Sequence, residues 1–559
     1  MFSFSISTRA FLGLGILACS ACVGTGFKPD AGPAPESFYT VTGEIALARQ
    51  EPRVAALQYA AAASTEKDPG ILRRATEVTA ETLQPSLEEG VAARWIVVDP
   101  KSLDAQRAAA RAALALYKID ESAAHYRAVI LTSPLGADAE FADLEADLVS
   151  DDNIFGARQV ADRLAAYFPT SPAALRVQGL TALRADDPAA AVRSLTVAVS
   201  NDQGAHKDLN QTLQRARIMA GDIEEPLRAA RAKLDSDDDA ANRFDYAVLL
   251  MTAQRMPEAQ AQLEILARSP ESNAVALRLL GLLEFQQGHY DSAETTFLQM
   301  IKTGKFLDDG FYYLGLIADR NADAQRALRF YAQVQGGDNA IPALLRAAAL
   351  LQANGAPSAA EELFDRLIED EPQRAPEILA ARARVYAQAN DLPKAFATLE
   401  QGIEQYPDNM DLRYATASVY EDEGQVSAAL RELKLVLKAR PDDPAALNAL
   451  GFTLADHGKS LAHARKMIER AYAAAPKNAA ILDSLGWVLF KQGRAAEALP
   501  YLSAAYADDR GGDIAAHLGE VLWSLGKPSE AERIWTEASL VDGDNRLLKS
   551  TRQRLRSTG

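Results

Sequence analysis

A phase that does not drift constrains this chain more than any other feature. Fifteen positions, 43, 77, 111, 145, 179, 214, 247, 281, 315, 348, 383, 417, 451, 486 and 519, follow one another at steps of 33 to 35 residues. Most hold a small residue: Gly43, Gly179, Ala247, Gly281, Gly315, Ala348, Ala383, Ala417, Gly451, Gly486 and Gly519. A period of about 34 sustained along a chain marks stacked helical hairpins, each too small to bury its own apolar face alone. The expectation is an all-α solenoid. Such a chain offers partners a long surface rather than enclosing a pocket for chemistry.

Prolines test the phase independently. Counting each unit from seven residues before its marker, Pro52, Pro188, Pro257, Pro357, Pro393 and Pro528 fall at place 17 or 18. Pro100, Pro134, Pro169, Pro270, Pro372, Pro407, Pro441 and Pro476 fall at places 31 to 33. Proline is tolerated in the first turn of a helix, where its missing N–H has no partner to lose. It also disfavours helix in the residue before it. Each unit therefore reads as helix, short turn, helix, proline-marked turn. Gly221, Gly288, Gly355, Gly424, Gly458, Gly493 and Gly526 fall in the inner turn, where glycine closes a helix in the left-handed conformation.

Side-chain size says how the two helices meet. Place 20 is Ala55, Ala157, Ala191, Ala259, Ala293, Ala327, Ala360, Ala395, Ala429, Ala498 or Ala531. Four residues on stand large side chains such as Tyr59, Leu195, Phe297, Tyr331, Phe364 and Trp535. The i, i+4 spacing puts small and large on one helix face.

This small–large code resembles the tetratricopeptide repeat, most strongly in LGLLEFQQGHYDSAETTFLQMI and LGWVLFKQGRAAEALPYLSAAY. The resemblance implies a right-handed superhelical solenoid of about 15 tetratricopeptide-like helix-turn-helix repeats. It covers residues 36–545, with degenerate units near 70–137 and 207–239, and leaves 546–559 as a C-terminal tail. Glu77 sits at a small position in one degenerate unit, and Pro226 at place 20 of another.

Length alone would suggest about four domains, but the unbroken period favours one object. The net charge of −17 argues against nucleic acid as a partner, because phosphate binding needs a basic footprint. Solvation of a large helical surface accounts for such a charge.

The N-terminus reads as an export segment. Arg9 is followed by nine apolar residues, AFLGLGILA, and then Cys19. That layout is a secretory signal, residues 1–18, too short to span a bilayer. Cys19 and Cys22 are the chain's only cysteines. Ile16-Leu17-Ala18-Cys19 resembles a bacterial lipobox, whose thiol is acylated and becomes the mature N-terminus. Cys22 is the alternative acceptor, and an ordinary cleaved signal with an incidental disulfide is the plain alternative to both. Neither cysteine precedes Asp, which by resemblance to bacterial sorting rules points to the outer membrane. Acyl chains add about 0.8 kcal/mol per buried CH₂, so such an anchor is durable. Residues 19–35, rich in Gly, Pro and Ala, read as a flexible tether.

No constellation for catalysis is visible, so the chain is not expected to be an enzyme or to need a metal or cofactor. Of six histidines only His457 and His463 are close, and i, i+6 does not share a helix face. No nucleophile motif or phosphate loop occurs. In this repeat architecture places 2, 5, 9 and 12 of the first helix face the concave side. These places hold Tyr312, Tyr414, Phe452, Trp487, Phe490 and Trp523. Aromatics at exposed positions act as binding anchors; packing against the neighbouring repeat is the other reading. Asp309, Asp319, Asp411, Glu421, Asp422 and Asp483 give that face an acidic character and suit a basic or apolar-helical partner.

The run from ESFYTVTGEIALARQ to ILRRATEVTA, and the run DPAALNALGFTLADHGKSLAHARKMIERAYAAAPKNAAILDSLGWVLFKQGR, are similar to a group of proteobacterial outer-membrane lipoproteins, the LbcA-type adaptors. The resemblance implies periplasmic protein partners, namely a carboxyl-terminal processing serine protease and its peptidoglycan-hydrolase substrates, with the membrane reached through the N-terminal lipid. A structural assembly factor for an outer-membrane secretion, pilus or exopolysaccharide complex is the alternative.

Overall fold

A computed structural model describes residues 36–558, apart from 152, 203–207, 269–273 and 543–544. The signal, the tether, Cys19 and Cys22 lie outside the described residues. Among those described are 31 α-helices, a 3-10 turn at Pro372–Arg374 and no strand. They pair as fifteen successive hairpins, here units 1 to 15. Unit 1 is Glu36–Ala48 with Pro52–Thr65, and unit 15 is Gly512–Ser524 with Pro528–Val541.

Fourteen of the fifteen inner turns use a left-handed residue among the described residues. The seven glycines expected there all have positive φ, and where glycine is missing Gln50, Leu83, Tyr117, Asp186, Gln254, Ala322 and Asn390 take the same conformation. The following N–H groups then bond back into the helix. Gly493 N–H donates to Phe490 O (2.8 Å) and Arg494 N–H to Leu489 O (3.0 Å). Leu83 and Gln84 repeat this with Ala80 (3.0 Å) and Thr79 (2.9 Å). Carbonyls at the helix end are thereby satisfied.

The small–large code is a direct contact. A Cβ on Gly43 would stand 2.7 Å from Tyr59, and one on Gly281 2.7 Å from Phe297. The place-20 alanines are buried throughout. Pro226 is buried too, in the first turn of Glu224–Ser236, where its ring breaks no helical hydrogen bond.

In units 2 to 4 the structure corrects the phase. Their first helices are Pro69–Glu81, Leu103–Ala115 and Ala137–Ser150. Their eighth places are Thr76, Ala110 and Leu144, all buried, not Glu77, Arg111 and Glu145. One residue fewer after Gly43 and one more before Gly179 shift these three units by one place together. Glu77 and Arg111 consequently point outward from the hairpin crossing and are exposed.

The two ends differ. Residues 546–559, set apart as a tail, carry the helix Arg546–Thr558, which lays Leu548 into the core beside Trp535. Its outer face is basic, with Arg552 and Arg556 on Glu532. Unit 1 leaves Phe38, Val41 and Ile45 exposed, at places where unit 14 (Ala479–Lys491, Ala495–Asp508) buries Ile481, Ser484 and Val488.

Distant units also touch. Gln84 Nε2 donates to the Gln405 carbonyl (2.7 Å), and Ser86 gives its N–H (3.0 Å) and hydroxyl (2.8 Å) to Asp408. Leu83 packs into the core around Leu379 and Tyr406, and Phe155 into the C-terminal core. Units 2 to 4 thus lie against units 11 to 14 across the superhelix.

Candidate functional site

The inner wall is built by the first helix of each unit. In the N-terminal half it carries arginine at place 5: Arg73, Arg107, Arg176 and Arg278. Each meets a carboxylate of the next unit, respectively Asp104 (3.5 Å), Glu140 (2.6 Å), Asp208 (2.5 Å) and Asp309. This ladder changes the acidic character expected of the groove. Asp309 is paired with Arg278 and Asn339, Asp411 with Arg440 (2.8 Å), and Asp483 with His517 (2.9 Å). Much of the expected negative charge is therefore met by cations within the wall.

The six aromatics predicted as anchors are not equivalent. Tyr414 alone is exposed, at 40 %. Tyr312 is half-buried, its ring edge-on to Tyr313 at 5.2 Å. Trp487 is buried at 5 % and is built into the stack, a correction to its reading as a presented anchor. Its Nε1–H donates to Asp456 (2.9 Å), its ring stacks on His517 at 4.0 Å, and the Lys491 ammonium lies 5.0 Å from its centre. Phe490 and Phe452 are half-buried against Trp487 (5.4 Å) and His517 (5.9 Å). Trp523 stacks on Trp535 at 5.7 Å. Large planar rings at these places fill the gap between neighbouring first helices, so the packing reading holds for Trp487.

His517 and Asp483 form a buried pair one unit apart. Burial pulls the imidazole pKa down, but the charge and hydrogen bond of Asp483 overcome it, and the group is raised above its ordinary value. Asp483 therefore favours the protonated form of the imidazole inside the wall.

Units 2 to 4 show a feature that sequence reasoning missed. Two cavities, of about 290 and 280 Å³, lie on the inner wall and share Arg107 and Arg111 as a common side. The first also has Arg73, Thr76 and Trp95; the second has Tyr126, Glu140, Asp143 and Asp147. Trp95 Nε1, Tyr126 Oη and Glu140 Oε1 are buried with no hydrogen-bond partner. Burial pushes the Glu88 carboxyl up to about 7, against the pull of Arg111 4.0 Å away. The available signal was the outward polarity of Glu77 and Arg111 at supposed packing places, which a shift by one residue explains.

Among the described residues no group of His, Cys, Asp and Glu is arranged to hold a metal ion. No helix of the described residues is long and apolar enough to cross a membrane.

Stacked hairpins with a continuous inner wall define the class: a helical-repeat scaffold for protein–protein interaction. Tetratricopeptide repeat models match residues 244–310, 344–410 and 453–513, and 386–451 and 489–555. The TPR repeat-containing protein PA4667 of Pseudomonas aeruginosa is 30% identical over 493 residues, covering 87% of this chain and 82% of that protein. BBSome complex member BBS4 of Bos taurus is 28% identical over 188 residues, 34% of this chain and 36% of that protein. Yeast Tom70, whose crystal structure aligns over 89% of this chain and 95% of its own at 13% identity, has a TM-score of 0.39, too loose to bear on function. The chain belongs to the tetratricopeptide repeat family. Proteins of this family are typically scaffolds without catalysis of their own.

Proposed function

We propose that the chain is a lipid-anchored adaptor on the periplasmic face of the bacterial outer membrane. It presents envelope proteins such as peptidoglycan hydrolases to a carboxyl-terminal processing serine protease. The observation that supports this reading is an inner wall running through fifteen hairpins, polar toward one end and aromatic toward the other. Two kinds of surface on one body suit two kinds of client. The similarity to PA4667 over most of both chains supports an array of comparable extent.

The mechanism is concentration and orientation. Holding protease and substrate on one scaffold raises their effective concentration to about millimolar for a short tether. Cys19 carries the lipid in this reading, with Cys22 as the alternative, and residues 19–35 give the reach.

Affinity capture of the tagged chain from envelope membranes tests the reading. A processing protease and a cell-wall hydrolase among the captured proteins support it. Capture of one fixed secretion, pilus or exopolysaccharide component without a protease replaces it by the assembly-factor reading. Cys19→Ser is expected to move the protein to the soluble periplasmic fraction. Continued sedimentation with membranes removes Cys19 as the anchor.

A further inference from the structure

We propose that the outer side of units 9 and 10 docks an amphipathic helix of a partner protein, in the place left by a shortened helix of unit 9. The partner helix presents aliphatic residues to a groove there and, beside them, Lys, Glu and Lys at four-residue spacing. The inference goes beyond the adaptor reading and needs neither its lipid nor its protease.

The second helix of unit 9, Ala324–Tyr331, has 8 residues, whereas the second helices of the other units have 12 to 14. At the place that Val334 holds, units 8, 10 and 12 bury Met300, Leu367 and Val436 from a continuous helix. Val334 instead belongs to a loop that three hydrogen bonds draw aside. Gln335 N–H donates to Asp308 (2.7 Å), Asn339 Nδ2 donates to Asp309 (2.6 Å), and the Gly337 carbonyl accepts from Arg374 (2.6 Å). A groove of about 360 Å³ is left between the second helices of units 9 and 10, the latter Pro357–Asp370, floored by the first helix of unit 10, Ala340–Ala353. Leu328, Val334, Leu351 and Leu363 line it, all half-buried. Its first-helix residues Leu344, Ala347 and Leu351 hold places 4, 7 and 11, not the places 2, 5, 9 and 12 of the inner wall.

What covers such a surface is shown by the chain itself. In the other fourteen hairpins the last turns of a second helix fill this space, so a helix is the occupant the geometry accepts. Against the 14 residues of unit 10, the 8 of unit 9 fall short by six, which is about 9 Å of helix at about 1.5 Å per residue. Nearly two turns of a partner helix fit there, with aliphatic side chains at i, i+4 and i+7 as the stripe that faces inward. Covering the half-buried aliphatics removes apolar surface from water, which favours association. Charge then selects among such helices. Glu362, Arg366 and Asp370 line the same groove at four-residue intervals along the second helix of unit 10. None of the three is paired with another charge among the described residues. A carboxylate, a guanidinium and a carboxylate in a row match Lys, Glu and Lys on the flank of the partner helix, an order that reads alike in both directions, and they repel the opposite pattern. An acyl chain would cover the aliphatics and leave that row unmet.

The test uses fluorescein-labelled, Ala-based helical peptides and the whole chain in detergent, with binding read by fluorescence anisotropy. Each peptide carries Leu at i, i+4 and i+7. One has Lys, Glu and Lys on the adjoining flank and the other Glu, Lys and Glu, so that both are equally helical. The first is expected to bind about fivefold more tightly at low ionic strength, and the difference should vanish at about 0.5 M salt. Exchanging the row by Glu362→Lys, Arg366→Glu and Asp370→Lys together, all at exposed positions, should reverse the preference. Ala332→Trp, at an exposed position on the edge of the groove, should fill it and weaken both peptides about tenfold. Ala353→Trp, exposed and outside the groove, should bind as the parent does. Equal binding of the two peptides at low salt, no reversal by the exchanged row, or an Ala332→Trp chain that binds as the parent does, overturns the proposal. So does sedimentation showing a dimer of the parent that Ala332→Trp dissolves, because a second copy of the chain would then hold the groove.

Discussion

Units 2 to 4 and units 13 to 15 are built on one plan and end with opposite inner walls. In units 13 to 15 the wall is filled. Trp487, His517 and Phe452 occupy the space between first helices, and the Trp487 indole and His517 imidazole each meet an aspartate. In units 2 to 4 the places equivalent to Trp487 hold Glu77, Arg111 and Glu145, and two cavities remain beside Arg107 and Arg111. The Trp95 indole there has no partner. Units 13 to 15 spend their inner face on stacking; units 2 to 4 leave part of it open. Degeneracy in a repeat array can therefore mark where the array does something besides stand.

Four measurements break or sharpen that contrast, from the largest effect down. Asp483→Ala leaves His517 buried and unpaired, which should cost about 3–5 kcal/mol. Urea unfolding with hydrogen exchange should place the loss in units 14 and 15, whereas Arg73→Ala, in an exposed pair, should stay within about 0.5 kcal/mol. Comparable losses from both would erase the distinction between filled and open walls.

Gly519→Val drives a side chain into Trp535 and should cost about 3 kcal/mol. Glu77→Val, at the position an undisturbed 34-residue phase would call equivalent, should change stability by less than about 0.5 kcal/mol. A large effect at Glu77 would restore the original phase.

Glu88 gives a pH signature. Its folded pKa is raised from 4.5 to about 7, so the folded state holds the proton more tightly than the unfolded one. That contribution is present below 4.5 and is lost as pH rises through about 7. Glu88→Gln should therefore stabilise the chain by about 3 kcal/mol at alkaline pH and by nothing at low pH, as read from melts across the range. His517, also raised, contributes below its ordinary value and loses that contribution as pH climbs past it. A flat difference between Glu88→Gln and parent would place Glu88 in contact with water.

The smallest effect concerns the contact between distant units. Ser86→Ala removes one hydroxyl bond to Asp408 and should cost about 1 kcal/mol locally. Small-angle scattering should then report a larger radius; an unchanged radius would leave Leu83 and Phe155 as the contacts that matter.

The fifteen hairpins were legible because their signals are local: proline in first turns, a left-handed residue in the inner turn, small residues facing large ones. The one-residue shift was not, because Glu77, Arg111 and Glu145 keep the period while burial decides the register. The aromatic wall was half legible. The rings at place 9 stand between neighbouring first helices, but sequence does not say that Asp456 and His517 lie within reach of Trp487. Trp95 and Tyr126 escaped notice because they lie on second helices, where large residues ordinarily fill the crossing.

Rods of repeats held only by nearest neighbours lengthen and bend like springs, with stiffness set at each joint. Ser86 on Asp408, Gln84 on Gln405 and Phe155 in the C-terminal core tie this spring to itself. Stretching it means parting those clasps first, so the pitch is pinned along much of its length, and Arg53, which donates to Gln84, joins unit 1 to the clasp.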